Sequence, residues 1–187
     1  MNGYDFTEPA RRIFELARAE AARLNHPYVG TEHLLLGLLS DDDAIVAGVF
    51  EEFDVDRAEF RESIDQIVKR GATPNSIEEL PFTSRAKKAV DLSLVEARDM
   101  RDTYVGSEHL LMGLIREEKG IAGQLLIRAG LWGEITRNQI RLLRGKQSYP
   151  RQSGTVSSIA VQVRYGDGSL IDFEFPSVAK AVEFLSQ

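Results

Sequence analysis

Six side chains in this 187-residue chain stand where ligand chemistry is possible, and they come in two sets of three at one offset. Thr7, Arg11 and Glu32 form one set, and Thr83, Lys87 and Glu108 form the other, each member 76 residues after its counterpart. A threonine hydroxyl at a helix start, with a cation one turn on, suits an anion, because the first backbone N–H groups of a helix lack helical partners. A glutamate suits a cation, a guanidinium above all. The plain alternative stays open: the threonines cap helices, and the glutamates sit in first helical turns because the macrodipole favours them there. Asp5 and Glu8 flank Thr7, whereas Ser84, Arg85, Lys87 and Lys88 follow Thr83, so phosphate is expected to prefer the second set. Pro9 in addition removes an N–H that an anion near Thr7 could have used.

Other chemistries find little support. His33 and His109 each follow a glutamate, but neighbours on a helix project about 100° apart, and no H-E-x-x-H pair exists. No metal site is expected; the two histidines are read as buried or capping groups that position their helices. The chain has no cysteine, hence no thiol nucleophile, no Cys-ligated zinc and no disulfide. It has no nucleophile elbow or candidate triad and no G-x-x-x-x-G-K-[ST] loop, so no catalytic residue and no cofactor is assigned and the protein is read as a non-enzyme. Lys plus Arg number 23 and Asp plus Glu 29, a net charge of −6 that gives no overall pull towards nucleic acid or an anionic membrane. Arg137, Arg141, Arg144, Lys146 and Arg151 make only a modest basic stretch, read as a solvated helix face and linker. The longest aliphatic stretch, Leu34 to Leu39, is far below the roughly 20 residues of a membrane span. No signal-peptide pattern opens the chain, and a cytoplasmic location is expected.

The elements that must hold these residues repeat as well. Over Phe6 to Val49 the 76-residue shift gives about 16 identities in 44 positions without a gap, the mark of a duplication. Ala10, Ile13, Phe14, Ala17, Ala21 and Leu24 recur at helical spacing, and Ala86, Ala89, Val90, Ser93, Ala97 and Met100 repeat the pattern. Thr31 and Ser107 are read as caps of the helices that carry Leu34/Leu38 and Leu110/Leu114. A third helix follows in each repeat (Ile45, Val49, Phe50; Ile121, Leu125, Leu126), then a fourth in which Ile64 and Ile67 match Ile140 and Leu143. The reading is therefore mainly α: two four-helix repeats, about 6–70 and 82–144, in a domain spanning 1–145. A polar linker (146–156) leads to a ββα extension (157–187). There Ile159, Val161, Val163 and Tyr165 alternate with polar residues, Gly166 to Ser169 turn the chain, Ile171, Phe173 and Phe175 alternate again, and Ser177 opens a helix with Val178, Ala181, Val182 and Leu185 on one face.

Phe6-Thr7 with Tyr28-Val29-Gly30-Thr31-Glu32-His33-Leu34-Leu35, and Phe82-Thr83 with Tyr104-Val105-Gly106-Ser107-Glu108-His109-Leu110-Leu111, closely resemble the N-terminal domain of Clp-type AAA+ unfoldases, the ClpC kind most of all. The resemblance covers about Phe6 to Gly145 and implies a pseudo-twofold, eight-helix module. It further implies docking of substrates, adaptors or a Clp unfoldase in protein quality control, and recognition of phosphoarginine on marked proteins. By resemblance Thr7 and Thr83 match the phosphate-side threonines, and Glu32 and Glu108 the acids that receive the guanidinium. The chain lacks the ATPase motif of an unfoldase, and the ββα tail favours a stand-alone repeat protein over an excised fragment. The competing reading is a regulatory or scaffolding protein that reuses the repeat fold for another ligand and forms a homodimer through the ββα tail, whose hairpin would leave edge N–H and C=O groups open.

Overall fold

A computed structural model describes residues 5–72, 80–147, 159–164 and 170–175. The elements run β1 (Asp5–Phe6), α1 (Glu8–Arg23), α2 (Thr31–Ser40), α3 (Ala44–Glu52), α4 (Arg57–Ile67), α5 (Ser84–Asp99), β2 (Tyr104–Val105), α6 (Ser107–Arg116), α7 (Ile121–Arg128), α8 (Gly133–Gln147), β3 (Ile159–Arg164) and β4 (Leu170–Phe175). The expected eight helices are all present, in two sets of four.

Their ends are set by local chemistry that repeats. The Thr7 hydroxyl accepts from the Ala10 N–H (3.3 Å) and the Thr83 hydroxyl from the Ala86 N–H (3.1 Å), so both threonines cap their helices. Asp43 and Asp56 cap α3 and α4 in the same way. Beyond α1 and α5 the chain turns through left-handed residues at matching positions, Asn25 (φ 57°) and Arg101 (φ 62°). Thr31 and Ser107 are not caps: the cap residues are Gly30 and Gly106, and each donates its N–H to the Nδ1 of the histidine three positions on, His33 (2.8 Å) or His109 (2.9 Å). A glycine has no side chain to bond the first turn, and the histidine reaches back instead.

Helices α2 and α6 are buried from Thr31 to Leu39 and from Ser107 to Ile115, so each is enclosed on all sides rather than along one stripe. Leu34, Leu38, Leu110 and Leu114 are all buried, as their spacing implies. Gly37 lets α1 come close: a Cβ there would lie 2.7 Å from the Ile13 carbonyl oxygen and 2.9 Å from the Ala17 nitrogen. Gly113 makes the same approach against α5, where the added carbon would lie 2.9 Å from the Ser93 nitrogen. In the fourth helices Ile64 and Ile140 are fully buried, but Ile67 is 51% exposed and lies outside the core.

Two short parallel contacts, absent from the periodic pattern, tie the repeats together. β1 pairs with β2, with Asp5 opposite Tyr104 and Phe6 opposite Val105, and Val29 bridges Phe82 in the matching place. The Thr7 N–H donates to the Val105 carbonyl (3.0 Å) and the Thr83 N–H to the Val29 carbonyl (2.9 Å). The start of each repeat is thereby fastened to the middle of the other.

β3 and β4 pair antiparallel, with Ile159 opposite Phe175 and Arg164 opposite Leu170, which is the expected hairpin. Its turn, the linker from residue 148 onward and the helix expected to carry Val178 to Leu185 lie outside the described residues. Among the described residues no helix is long and apolar enough to cross a membrane.

Candidate functional site

The crossing just described decides which predicted residues meet. Thr83 at the start of α5 lies across from Glu32 in the first turn of α2, and both line one cavity of about 460 Å³ with Tyr28, Ser84, Arg85 and Lys119. Thr7 makes the matching bond to Val105, three residues before Glu108. The sequence sets, Thr7 with Glu32 and Thr83 with Glu108, are therefore regrouped: each site takes its acid from one repeat and its helix start from the other. Arg85 and Lys119 line this cavity, while Lys87 on α5 and Arg11 on α1 are exposed and lie outside its lining.

At the Glu32 site the carboxylate folds back over Gly30, where a Cβ would collide with it, and the residue is only 7% exposed. Among the described residues it has no arginine or lysine partner; the neutral His33 ring lies beside it, with Nδ1 at 3.7 Å already accepting the Gly30 N–H. The facing helix start offers an anion more than α1 does. Thr83 takes up the Ala86 N–H and leaves those of Ser84 and Arg85, whereas on α1 the Thr7 hydroxyl takes the Ala10 N–H and Pro9 has none. Arg85 is steered by the buried Glu117 carboxylate (3.1 Å).

The histidines form a donor chain behind this acid. A backbone N–H can only donate, so His33 Nδ1 accepts from Gly30 and the His33 proton is on Nε2. That N–H meets His26 Nδ1 at 2.9 Å, and His26 Nε2–H donates to the Lys69 carbonyl at 2.7 Å. Ligand atoms of His26, Glu32 and His33 lie within 4.8 Å of one another, a grouping that sequence spacing did not bring out. All four ring nitrogens are engaged, so in this arrangement neither imidazole presents a free lone pair to a metal. Burial pushes His33 down to about 3, with His26 and Arg23 as lesser causes, and it stays neutral.

The second repeat departs here. His26 is matched by Asp102, which accepts the His109 Nε2–H at 3.0 Å. Arg144, from the end of α8, donates to Asp102 at 2.6 Å and also to Glu108, and its guanidinium lies 6.0 Å from the centre of the Tyr104 ring. Burial opposes the charge on Arg144, but the bonds to Glu108 and Asp102 outweigh it and raise its pKa. The solvated-face reading of the basic stretch fails for two of its members: the Arg144 side chain is 22% exposed and that of Arg137 14%, the latter holding the fully buried Glu96 through three contacts of 2.8 to 3.0 Å. The usable signal was the repeat itself, since Val68 stands where the offset places Arg144.

Comparison with known proteins agrees with this architecture. The family model described as the Clp repeat (R) N-terminal domain matches residues 5–129. A ClpA homologue of Porphyra purpurea, named as an ATP-dependent Clp protease ATP-binding subunit, is 37% identical over 178 residues, 95% of this chain and 21% of that protein. The chloroplastic chaperone protein ClpC1 of Arabidopsis thaliana is 40% identical over 143 residues, 76% of this chain and 15% of that protein. The chain thus spans about a fifth or less of the length of these curated relatives. Among solved structures, the N-terminal domain of ClpD from Arabidopsis thaliana matches with a TM-score of 0.56 at 29% identity, covering 75% of this chain and 94% of that one. A ClpV N-domain in complex with a VipB peptide shares the fold, with a TM-score of 0.58 at 15% identity, covering 73% and 82%.

Proposed function

The chain belongs to the Clp repeat N-terminal domain family, and from that premise we propose that it docks proteins for Clp-type quality control, and that the Glu32–Thr83 cavity receives phosphorylated arginine side chains. One observation carries the reading: a buried carboxylate without a cation of its own shares a cavity with a helix start that has two N–H groups to give and two cations beside it. Guanidinium on Glu32 forms a charge-assisted pair. The phosphoryl oxygens then meet the Ser84 and Arg85 N–H groups, the Thr83 hydroxyl and the charges of Arg85 and Lys119. Neither arginine nor phosphate alone satisfies both halves. The docking role is supported by the family and by the peptide complex of a ClpV N-domain.

Calorimetric titration with phosphoarginine, with arginine and phosphate as controls, tests the reading. One equivalent of phosphoarginine is expected to bind, at least tenfold tighter than either control. Glu32→Ala and Thr83→Ala abolish that heat, while Glu108→Ala and Thr7→Ala leave it largely intact. This order reverses the glutamates relative to the sequence grouping, because Glu108 already holds Arg144. No heat with wild type, or equal losses in all four variants, refutes the assignment.

A further inference from the structure

The two repeats differ at the acid site in two residues that act together: His26 is replaced by Asp102, and Val68 by Arg144. The Arg144 guanidinium bonds Asp102 and Glu108 and lies against the face of Tyr104, which is the set of contacts an arginine from another protein would seek. We propose that Arg144 is an internal ligand of a second guanidinium receptor made by Asp102, Tyr104 and Glu108, and that it keeps this receptor closed to arginine side chains of partner proteins.

The inference rests on the reading of Glu32 and Glu108 as receptor acids, though not on phosphate recognition. The first repeat shows that the fold does not require the plug: with Val68 in place of the arginine, Glu32 keeps its position with no arginine or lysine paired to it among the described residues. The opened receptor takes unmodified arginine rather than phosphoarginine. It holds two carboxylates, Asp5 stands opposite Tyr104 and Glu8 opens α1, so a phosphoryl group meets negative charge, and Pro9 offers it no N–H. The protein with Arg144 in place is consequently single-sited, and the second site differs in specificity as well as in access.

Titration of the ¹⁵N-labelled full chain with arginine amide, followed by amide shifts, tests this. The proteins are wild type, Arg144→Val, and Arg144→Val with Asp102→His, which copies the first repeat. Wild type is expected to show no saturable shift at Val105 to Glu108. Arg144→Val shows one there, at least tenfold tighter for arginine amide than for phosphoarginine, and absent with lysine amide. The double variant, with one carboxylate fewer, binds more weakly at the same amides and decides the matter if the single variant fails to fold. No saturable shift at Val105 to Glu108 in either variant overturns the proposal, as does the same shift in wild type or failure of both variants to fold. Phosphoarginine shifts at Ser84 and Arg85 report separately on the Glu32 site, so its failure refutes the proposed function without touching this outcome.

Discussion

Replacing each receptor acid by its amide separates a site acid from a structural one. Glu32 and Glu108 occupy the same position in the first turn of matching helices, so each gains the same macrodipole attraction, about 0.3–1 kcal/mol, which cancels between Glu32→Gln and Glu108→Gln. What remains is the partner. Breaking a fully buried ion pair costs about 3–5 kcal/mol, and an exposed pair is worth about 0.2–1 kcal/mol. The Arg144 side chain is 22% exposed and keeps Asp102 when Glu108 loses its charge, so the loss lies between, about 1–2 kcal/mol. For a chain of this size that lowers Tm by about 2–8 °C. Glu32→Gln removes a largely buried charge that has no cationic partner among the described residues, and its effect stays within about 0.5 kcal/mol of zero. Scanning calorimetry at pH 7 reads both, and a cycle with Arg144→Met isolates the coupling to Glu108. A Tm loss for Glu32→Gln as large as that for Glu108→Gln refutes the asymmetry on which the site assignment stands.

Further outcomes follow from other parts of the structure. His33 is held at about 3 and burial also lowers His109, so the unfolded chain takes up protons first as pH falls. Stability is full above about pH 6.5 and drops by about 2 kcal/mol by pH 5 on His33 alone, and a flat profile in urea titrations over that range contradicts the donor chain. Gly30→Ala puts a methyl where the Glu32 carboxylate lies, on extended backbone that alanine adopts, so phosphoarginine binding is lost with Tm nearly unchanged; retained binding places the carboxylate elsewhere. Gly37→Ala drives a carbon against the α1 backbone and costs about 1–3 kcal/mol, and unchanged urea unfolding shows that the helices are not this close. Deleting 157–187 removes β3 and β4 and tests the competing reading: a fall in mass by light scattering from dimer to monomer supports dimerisation through the tail, and a monomeric mass for both chains excludes it.

The helices and most of the core were legible because a duplicated apolar pattern reports its own register: Leu34 and Leu110, or Ile64 and Ile140, confirm each other's burial. The parts that were not legible lack a local signature. A parallel contact of two residues between Asp5–Phe6 and Tyr104–Val105 leaves no periodicity, and the pair is separated by most of the helical domain. Gly30 looks like a turn residue and Thr31 like a cap, and only the fold shows the cap supplied from His33. Arg144 reads as one more cation on a helix end until Asp102 and Glu108 are brought beneath it.

The crossing of the repeats also resolves a conflict within the sequence itself. Taken repeat by repeat, each set mixed suitable and unsuitable features: Glu32 was paired with the acidic, proline-bearing start of α1, and Glu108 with the basic start of α5. Once Thr83 shares a cavity with Glu32 and Thr7 is bonded to Val105 just before α6, the favourable features collect on one side: the acid without an internal cation, the two N–H groups, Arg85 and Lys119. The unfavourable ones collect on the other: Glu8, Pro9 and the acid already holding Arg144. A substitution in one repeat therefore acts on a site whose acid lies in the other. Because each site draws on both copies, the duplicated domain could specialise one cavity while the second diverged, with the eight-helix framework and its buried α2 and α6 left in place.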